Sequence, residues 1–436
     1  MAGEKTRPQS AKRRHIVLVP GFAGFDALGQ LEYYGGVTPV FQKHRAKNEV
    51  LHYFDNLPTA AVRTRATRLL RYLARRIARR DILPSDEIIL VGHSTGGLDI
   101  RWLLWNPQCD NTPITVDGGA KVEPGEIRKL VSRVVFLSVP HWGTNIADWV
   151  QDHKIGREAV VTELRGAVAG SQVPLLDRAE EWIAGGAACL TGAELIRAVQ
   201  DSLREADDRI GPETPDRTAD AHEAASQLEL YLRHMASDFR AIDDLTSRRP
   251  RCGPLSPAHY NNTERELELG VWKKQGIESR SYVTLGRRIF PFKPDAPAPP
   301  LDLVSPLTSL EIATGTPLSA GTDIVYRLSY RACAGGPFAW PDPCGKVNRR
   351  LNGSPKHAIE LWDNDGIVNT ASMLWRLSEN VLVAGDHMDI VGQYQAVRAP
   401  CGVGRTYQAY DLLNSHSNFD KTFHDVWGEI FAFCAQ

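Results

Sequence analysis

The sequence predicts an α/β protein: a mostly parallel sheet with helices on both faces, interrupted by a large helical cap insertion. Three observations predict it. Apolar strand-like runs alternate with helix-periodic stretches through the first third of the chain, the pattern of a parallel sheet crossed by helices. One of those junctions, Glu87 to Trp105, reads as strand, tight Gly/Ser turn, helix. The middle of the chain then turns rich in Ala, Glu, Arg and Leu at helical spacing, which a sheet does not use.

Residues 1–14 form a polar, basic tail. The apolar run after it, His15–Val19, ends at Pro20-Gly21; it is too short for a signal-peptide core and fits a buried strand, so Arg13-Arg14 is not taken as an export signal. A first core segment, 15–148, holds strands at His15–Val19, Glu49–Phe54, Glu87–Val91 and Val131–Ser138, with helices at Thr59–Arg80 and Gly96–Trp105. The helix from Thr59 buries a stripe of Val62, Ala66, Leu69, Leu70, Leu73 and Ile77; eight arginines between Arg63 and Arg80, with no acid among them, read as its solvated face. Residues 149–276 are the cap, with helical periodicity in Arg157–Val168, Ala193–Ala206 and Ala219–Leu245. Residues 277–436 return to the core, with strands at Ser281–Gly286 and Asn380–Ala384, a proline-rich loop at Pro291–Pro306 and a closing helix at about Phe419–Ala435.

A chain of 436 residues, 42% hydrophobic, can hold a sizeable core. Its 51 basic and 52 acidic residues nearly cancel, so no net field favours nucleic acid or an anionic membrane. Seven cysteines, from Cys109 to Cys434, are odd in number and scattered, which points to reduced thiols in preference to a disulfide framework. No window approaches the roughly 20 apolar residues of a membrane helix. A soluble, cytoplasmic protein with no transmembrane segment and no nucleic-acid partner is expected.

The chemistry gathers on Gly92-His93-Ser94-Thr95-Gly96. A serine is a poor nucleophile unless the backbone presents it clear of its neighbours, and a strand-to-helix turn flanked by glycines does that. Serine also needs a histidine base, a carboxylate to orient it, and donors for the developing oxyanion. The chain offers them in the order Ser94, Asp365, His387. Asp365 lies in the turn Asn364-Asp365-Gly366, where Asp363 is a competing carboxylate, and His387 follows the strand ending at Ala384. All three are expected beyond strand C-termini, the edge where open α/β sheets bind ligands. The oxyanion donors are read as the N–H groups of Thr95, next to the nucleophile, and Phe22, in the loop after the first strand.

These residues resemble the α/β-hydrolases, and among them the bacterial true lipases. The likeness lies in Gly92 to Leu98 with Arg101 beyond, Ser138-Val139-Pro140-His141-Trp142-Gly143-Thr144, the Asn-Asp-Gly turn, and His387-Met388-Asp389 with Gln393. It implies an α/β-hydrolase fold, with Ser94 as nucleophile, His387 as base and Asp365 as orienting acid. It also implies a small-molecule ester substrate, acyl or lipid-like, and a chemistry that requires no cofactor. A structural calcium is implied as well, held by Asp389, by backbone oxygens at Gln393 and Val397, and by an upstream aspartate for which Asp342 is the nearest candidate; hard cations take oxygen ligands. The family's usual His-Gly is Pro20-Gly21 here, which keeps the donor N–H and loses a side chain that helps fix the loop. The expected reaction is ester cleavage through acyl-Ser94. An acyltransferase on the same residues and a non-hydrolytic ligand-binding protein of this fold are the alternatives. Leu175, Leu176, Trp182, Leu190, Leu195 and Ile196 of the cap either line an acyl pocket or pack the cap onto the sheet.

Overall fold

The computed structural model describes residues 12–22, 24, 27–28, 31–105, 112–152, 234, 238, 240–248, 256–288, 326–327, 329–336, 345–351, 353–395, 397–400, 406–409, 411 and 413–436. Most of the predicted cap lies outside these, with two of its helical stretches, the larger part of the third and its six apolar residues, as do the proline-rich loop and Asp342; the end of the third stretch, Ala241–Leu245, is a helix.

In chain order the strands are β1 (Arg14–Val19), β2 (Ala27–Leu28), β3 (Leu31–Glu32), β4 (Glu49–Tyr53), β5 (Glu87–His93), β6 (Ile114–Thr115), β7 (Lys121–Val122), β8 (Val131–Leu137), β9 (Glu278–Leu285), β10 (Arg349–Arg350), β11 (Glu379–Ala384), β12 (Val397–Pro400) and β13 (Thr406–Ala409). The helices are α1 (Val37–His44), α2 (Val62–Ala78), α3 (Thr95–Leu104), α4 (Pro124–Leu130), α5 (Asn145–Asp152), α6 (Ala241–Leu245), α7 (Asn262–Gln275) and α8 (Asp420–Cys434). Seven strands form the main sheet in the order β10-β11-β9-β8-β5-β1-β4. Every pairing within it is parallel. This is the mostly parallel sheet of the α/β-hydrolase fold that the sequence predicts.

Successive strand residues face opposite sides, so the sheet separates two cores. Ile16, Leu18, Ile89, Val91, Val135 and Leu137 pack with Val37 and Phe41 of α1 and Phe423, Trp427 and Phe431 of α8. Val17, Val19, Ile88, Leu90, Val134 and Phe136 pack with Leu69 and Leu73 of α2, Leu98 and Leu103 of α3, and Trp272 of α7. Each such side chain, fully buried, contributes about 1.5–3 kcal/mol, which holds the central strands and the turns at their ends in fixed register.

Four helices, α1, α4, α5 and α7, were not anticipated. α1 is short, and α7 falls in the predicted cap yet packs on the sheet; Asn261 and Glu264 form a capping box at its start and Gly276 ends it at φ 68°, both visible as sequence signals. A bidentate pair inside the protein joins α7 to α3: Arg101 Nε and Nη2 donate to Glu268 at 2.9 and 2.6 Å. Among the described residues no helix is long and apolar enough to cross a membrane.

Candidate active site

β5 runs into α3 through Ser94, which holds φ 51° and ψ −128°. That region is strained for a residue with a side chain and survives only where the surroundings enforce it. Here they do: the Ser94 N–H donates to Leu137 O at 2.9 Å, and a Cβ on Gly96 would stand 2.4 Å from the Val19 carbonyl oxygen. Strand and helix can meet this closely only with glycine at that position. Thr95 opens α3, so its N–H has no acceptor within the helix. The loop carrying Phe22 turns tightly, Gly24 N–H donating to Gly21 O at 3.1 Å. It lies directly on Ser94, since a Cβ on Gly21 would be 2.7 Å from Ser94 Cβ.

His387 stands beyond the end of β11, and its Nδ1–H donates to Asp365 Oδ2 at 2.8 Å. Its own backbone N–H donates to Asp365 O at 3.0 Å, so the two residues are joined by main chain as well as side chain. The His387 ring lies 4.6 Å, centroid to centroid, from the ring of His93, the residue before Ser94. The rest of the Asp365 carboxylate is also occupied. Ile367 and Val368 N–H groups donate to Oδ1 at 3.1 and 2.8 Å, and Thr284 Oγ1–H donates to Oδ2 at 2.6 Å. Ser138 is 2.8 Å from Thr284 and supplies the proton in that pair, because the Thr284 proton is already spent on Asp365. Asp363 points elsewhere: Arg288 grips it through Nε and Nη2 at 2.7 and 2.8 Å.

One expectation about the acid needs correction. No strand immediately precedes Asp365; the turn is built by Asn364, whose Oδ1 accepts from Gly366 N–H at 2.8 Å, and it docks on the end of β9 by Gly286 N–H donating to Asn364 O at 3.1 Å. The carboxylate thus reaches the C-terminal edge by side-chain-made turn chemistry.

The loop bearing Pro20-Gly21 is tied by groups that sequence reasoning missed. Arg65 Nη2 donates to Pro20 O at 2.6 Å, and Nε donates to Asp99 Oδ2 of α3 at 3.0 Å. Arg65 therefore belongs inside the protein and not on a solvated arginine face; the signal was its place three residues after Val62 and four before Leu69, on the apolar stripe. The other arginines do face outward. Arg63, Arg68, Arg71 and Arg75 line a cleft of about 660 Å³ with Tyr53, Phe54 and Tyr72, and no residue of the Ser94–Asp365–His387 group lines it.

The residues expected to hold calcium form a hydrogen-bonded turn. Asp389 Oδ2 accepts from Asp386 N–H at 2.8 Å and Ser417 Oγ–H at 2.5 Å, while Asp386 Oδ1 accepts from the N–H groups of Met388 and Asp389 at 3.0 and 3.2 Å. Burial pushes the Asp386 carboxyl up to about 7 and that of Asp411 up to about 8. The Gln393 amide donates to the carbonyls of Glu32 and Tyr33; Val397 begins β12. Of the four residues, Asp389 alone offers a described carboxylate, and among the described residues no group of three or more His, Cys, Asp and Glu is arranged for a metal. Asp342, the second carboxylate that the resemblance implies, lies outside the described residues, and a calcium here, which would also take backbone oxygens, stays a proposal.

No family model matches the chain. A triacylglycerol lipase of Pseudarthrobacter phenanthrenivorans is 29% identical over 144 residues, 33% of this chain and 38% of that protein. A triacylglycerol lipase of Burkholderia plantarii is 29% identical over 144 residues, 33% of this chain and 34% of that protein. The match thus spans little more than a third of the length of these relatives. Among solved structures, lipase 1 from Pelosinus fermentans covers 96% of this chain and 98% of its own at 16% identity and a TM-score of 0.41. EstA from Clostridium botulinum covers 89% and 86% at 17% identity and a TM-score of 0.39. At such scores the fold rests on the strand order and the strand–serine–helix turn. The chain has an α/β-hydrolase fold and is similar, over 144 residues, to bacterial triacylglycerol lipases.

Proposed function

We propose that the protein is a serine hydrolase that cleaves carboxylic esters, acyl or lipid-like, through an acyl-Ser94 intermediate. The observation that carries this reading is the buried Asp365–His387 pair, at 2.8 Å, set beside the strained turn that presents Ser94.

In this reading His387 Nε2 takes the Ser94 Oγ proton as Oγ bonds to the substrate carbonyl carbon. The carbonyl π pair moves onto oxygen, where the Phe22 and Thr95 N–H groups receive it. Asp365 holds Nδ1–H and offsets the charge of the imidazolium, without taking the proton. Collapse of the oxyanion breaks the bond to the leaving alkoxide, which receives the proton from Nε2–H. Water then gives a proton to Nε2 and its oxygen to the acyl carbon, and the acid leaves with Ser94 Oγ–H restored.

The test is hydrolysis of p-nitrophenyl esters from acetate to palmitate by the parent and by Ser94→Ala. The reading requires parental turnover of at least one chain length and its loss, by about 10^4-fold, in a variant that unfolds at the parental temperature.

A further inference from the structure

Between the loop that carries Phe22 and the loop that carries His387 lies a continuous line of hydrogen bonds through two side chains that have no assigned role, Tyr33 and His93. Gly21 N–H donates to Tyr33 Oη at 3.0 Å. Tyr33 Oη and His93 Nδ1 are 2.6 Å apart, and His93 Nε2 is 2.9 Å from the His387 carbonyl oxygen. Its direction is fixed at both ends, because an N–H can only donate and a C=O can only accept. His93 must therefore carry its proton on Nε2 and accept on Nδ1, and Tyr33 Oη–H must point at His93.

We propose that Tyr33 and His93 are positioning residues for the ester chemistry, a one-way hydrogen-bonded strut that locks the oxyanion loop and the histidine loop onto the turn that presents Ser94. The inference rests on the serine-hydrolase reading above. Three features favour a strut over incidental packing. The line joins all three catalytic segments: Gly21 is the peptide before Phe22, His93 is the residue before Ser94, and His387 supplies the far carbonyl. Both side chains are sealed from water, Tyr33 4% and His93 0% exposed, so no solvent substitutes for a lost partner. Burial, with His387 adjacent, holds His93 far below its ordinary range, which keeps it neutral and the direction of the line unambiguous. The strut also replaces the anchor that Pro20 cannot give, fixing the loop by its own Gly21 N–H.

A donor that moves out of line weakens the transition state more than substrate binding. Tyr33→Phe, which removes one hydroxyl and keeps the ring, is expected to lower kcat about 10- to 100-fold at unchanged KM, below the roughly 100- to 1000-fold of losing an oxyanion donor outright. His93→Phe, which keeps a ring but can neither accept from Tyr33 nor donate to the His387 carbonyl, should behave alike. The double variant should lose no more than the worse single one, since a line cut once is cut. Thermal unfolding of each is measured beside it. Parental kcat in both single variants overturns the proposal. So does a kcat loss that vanishes when the assay is run well below a lowered unfolding temperature, and so do losses that multiply in the double variant. Ser94→Ala in the same series separates the two claims: if it still turns over ester, the serine reading fails, whereas a dead Ser94→Ala beside a fully active Tyr33→Phe removes the strut alone.

Discussion

Ser94 and Ser138 both hold positive φ, 51° and 50°, at the ends of adjacent strands, and both lead into the site. One is the proposed nucleophile; the other starts the hydroxyl line through Thr284 to Asp365. At this scale the two aspartates of one turn have opposite fates. Asp365→Asn is expected to lower kcat about 10^4-fold, because the amide favours the wrong histidine tautomer. Asp363→Asn breaks an ion pair with Arg288 and should shift the unfolding temperature while kcat stays within a few-fold; steady-state kinetics of both variants beside their melting curves check this. Gly96→Ala should abolish folding or activity, since the new methyl would meet the Val19 oxygen at 2.4 Å. Ser94, its glycines, Asp365 and His387 stand out in the sequence as candidates because each is a residue type that serine-hydrolase chemistry requires near a strand-to-loop junction. Tyr33, His93, Thr284 and Arg65 do not, because they are joined to the site across long stretches of sequence, and only the fold brings a tyrosine of one loop to a histidine 60 residues on.

The elements of the central sheet were legible for a simple reason: β1, β5, β8 and β11 are buried on both faces and read as short apolar runs ended by glycine or polar residues. The start of α2 was not. The sequence places it at Thr59, but Thr59 is spent on the Asp238 carbonyl, Ala61 is extended at ψ 143°, and the first N–H, Val62, is capped from a distance by Asp244 Oδ2 at 2.7 Å. Burial pushes that carboxyl up to about 7. Its folded pKa lies above the unfolded value of about 3.9, so its contribution to stability is full below about pH 4 and is lost as the pH rises through 7. Asp244→Asn keeps the acceptor and cannot ionise; it should flatten stability against pH over that interval, read by urea unfolding at a series of pH values. An unchanged slope would mean that Asp244 does not carry it. The α3–α7 pair makes a second expectation. Arg101→Met alone leaves Glu268 buried without its hydrogen-bonded partner and should cost about 3–5 kcal/mol, whereas Arg101→Met with Glu268→Leu should recover most of it; equilibrium denaturation of the three proteins decides.

At the scale of the molecule the sheet serves as a fixed frame whose C-terminal edge collects loops from distant parts of the chain. Ser94 arrives on β5, Phe22 after β1, His387 after β11 and Asp365 on a turn docked to β9; His387 and Asp365 are bonded to each other, and Gly21 and the His387 carbonyl are linked through Tyr33 and His93. That edge was readable from the alternation of strands and helices; the strand order, which decides who neighbours whom, was not, because pairing depends on long-range packing that no local run encodes. The proposed calcium belongs here too, since pinning the Asp386–Asp389 turn would steady the whole His387 loop. A bound cation would stabilise the parent in calcium over EGTA by about 2.7 kcal/mol at a hundred times its dissociation constant, raising its unfolding temperature and turnover, and Asp389→Ala would lose that response; no response of the parent would leave Asp389 an ordinary structural carboxylate. The most direct test of the central claim is intact-protein and peptide mass spectrometry after treatment with a fluorophosphonate. One adduct on Ser94, formed in step with loss of ester hydrolysis and slowed severely in His387→Ala, is the predicted result; full labelling at another residue, or undiminished hydrolysis with Ser94 blocked, would contradict it.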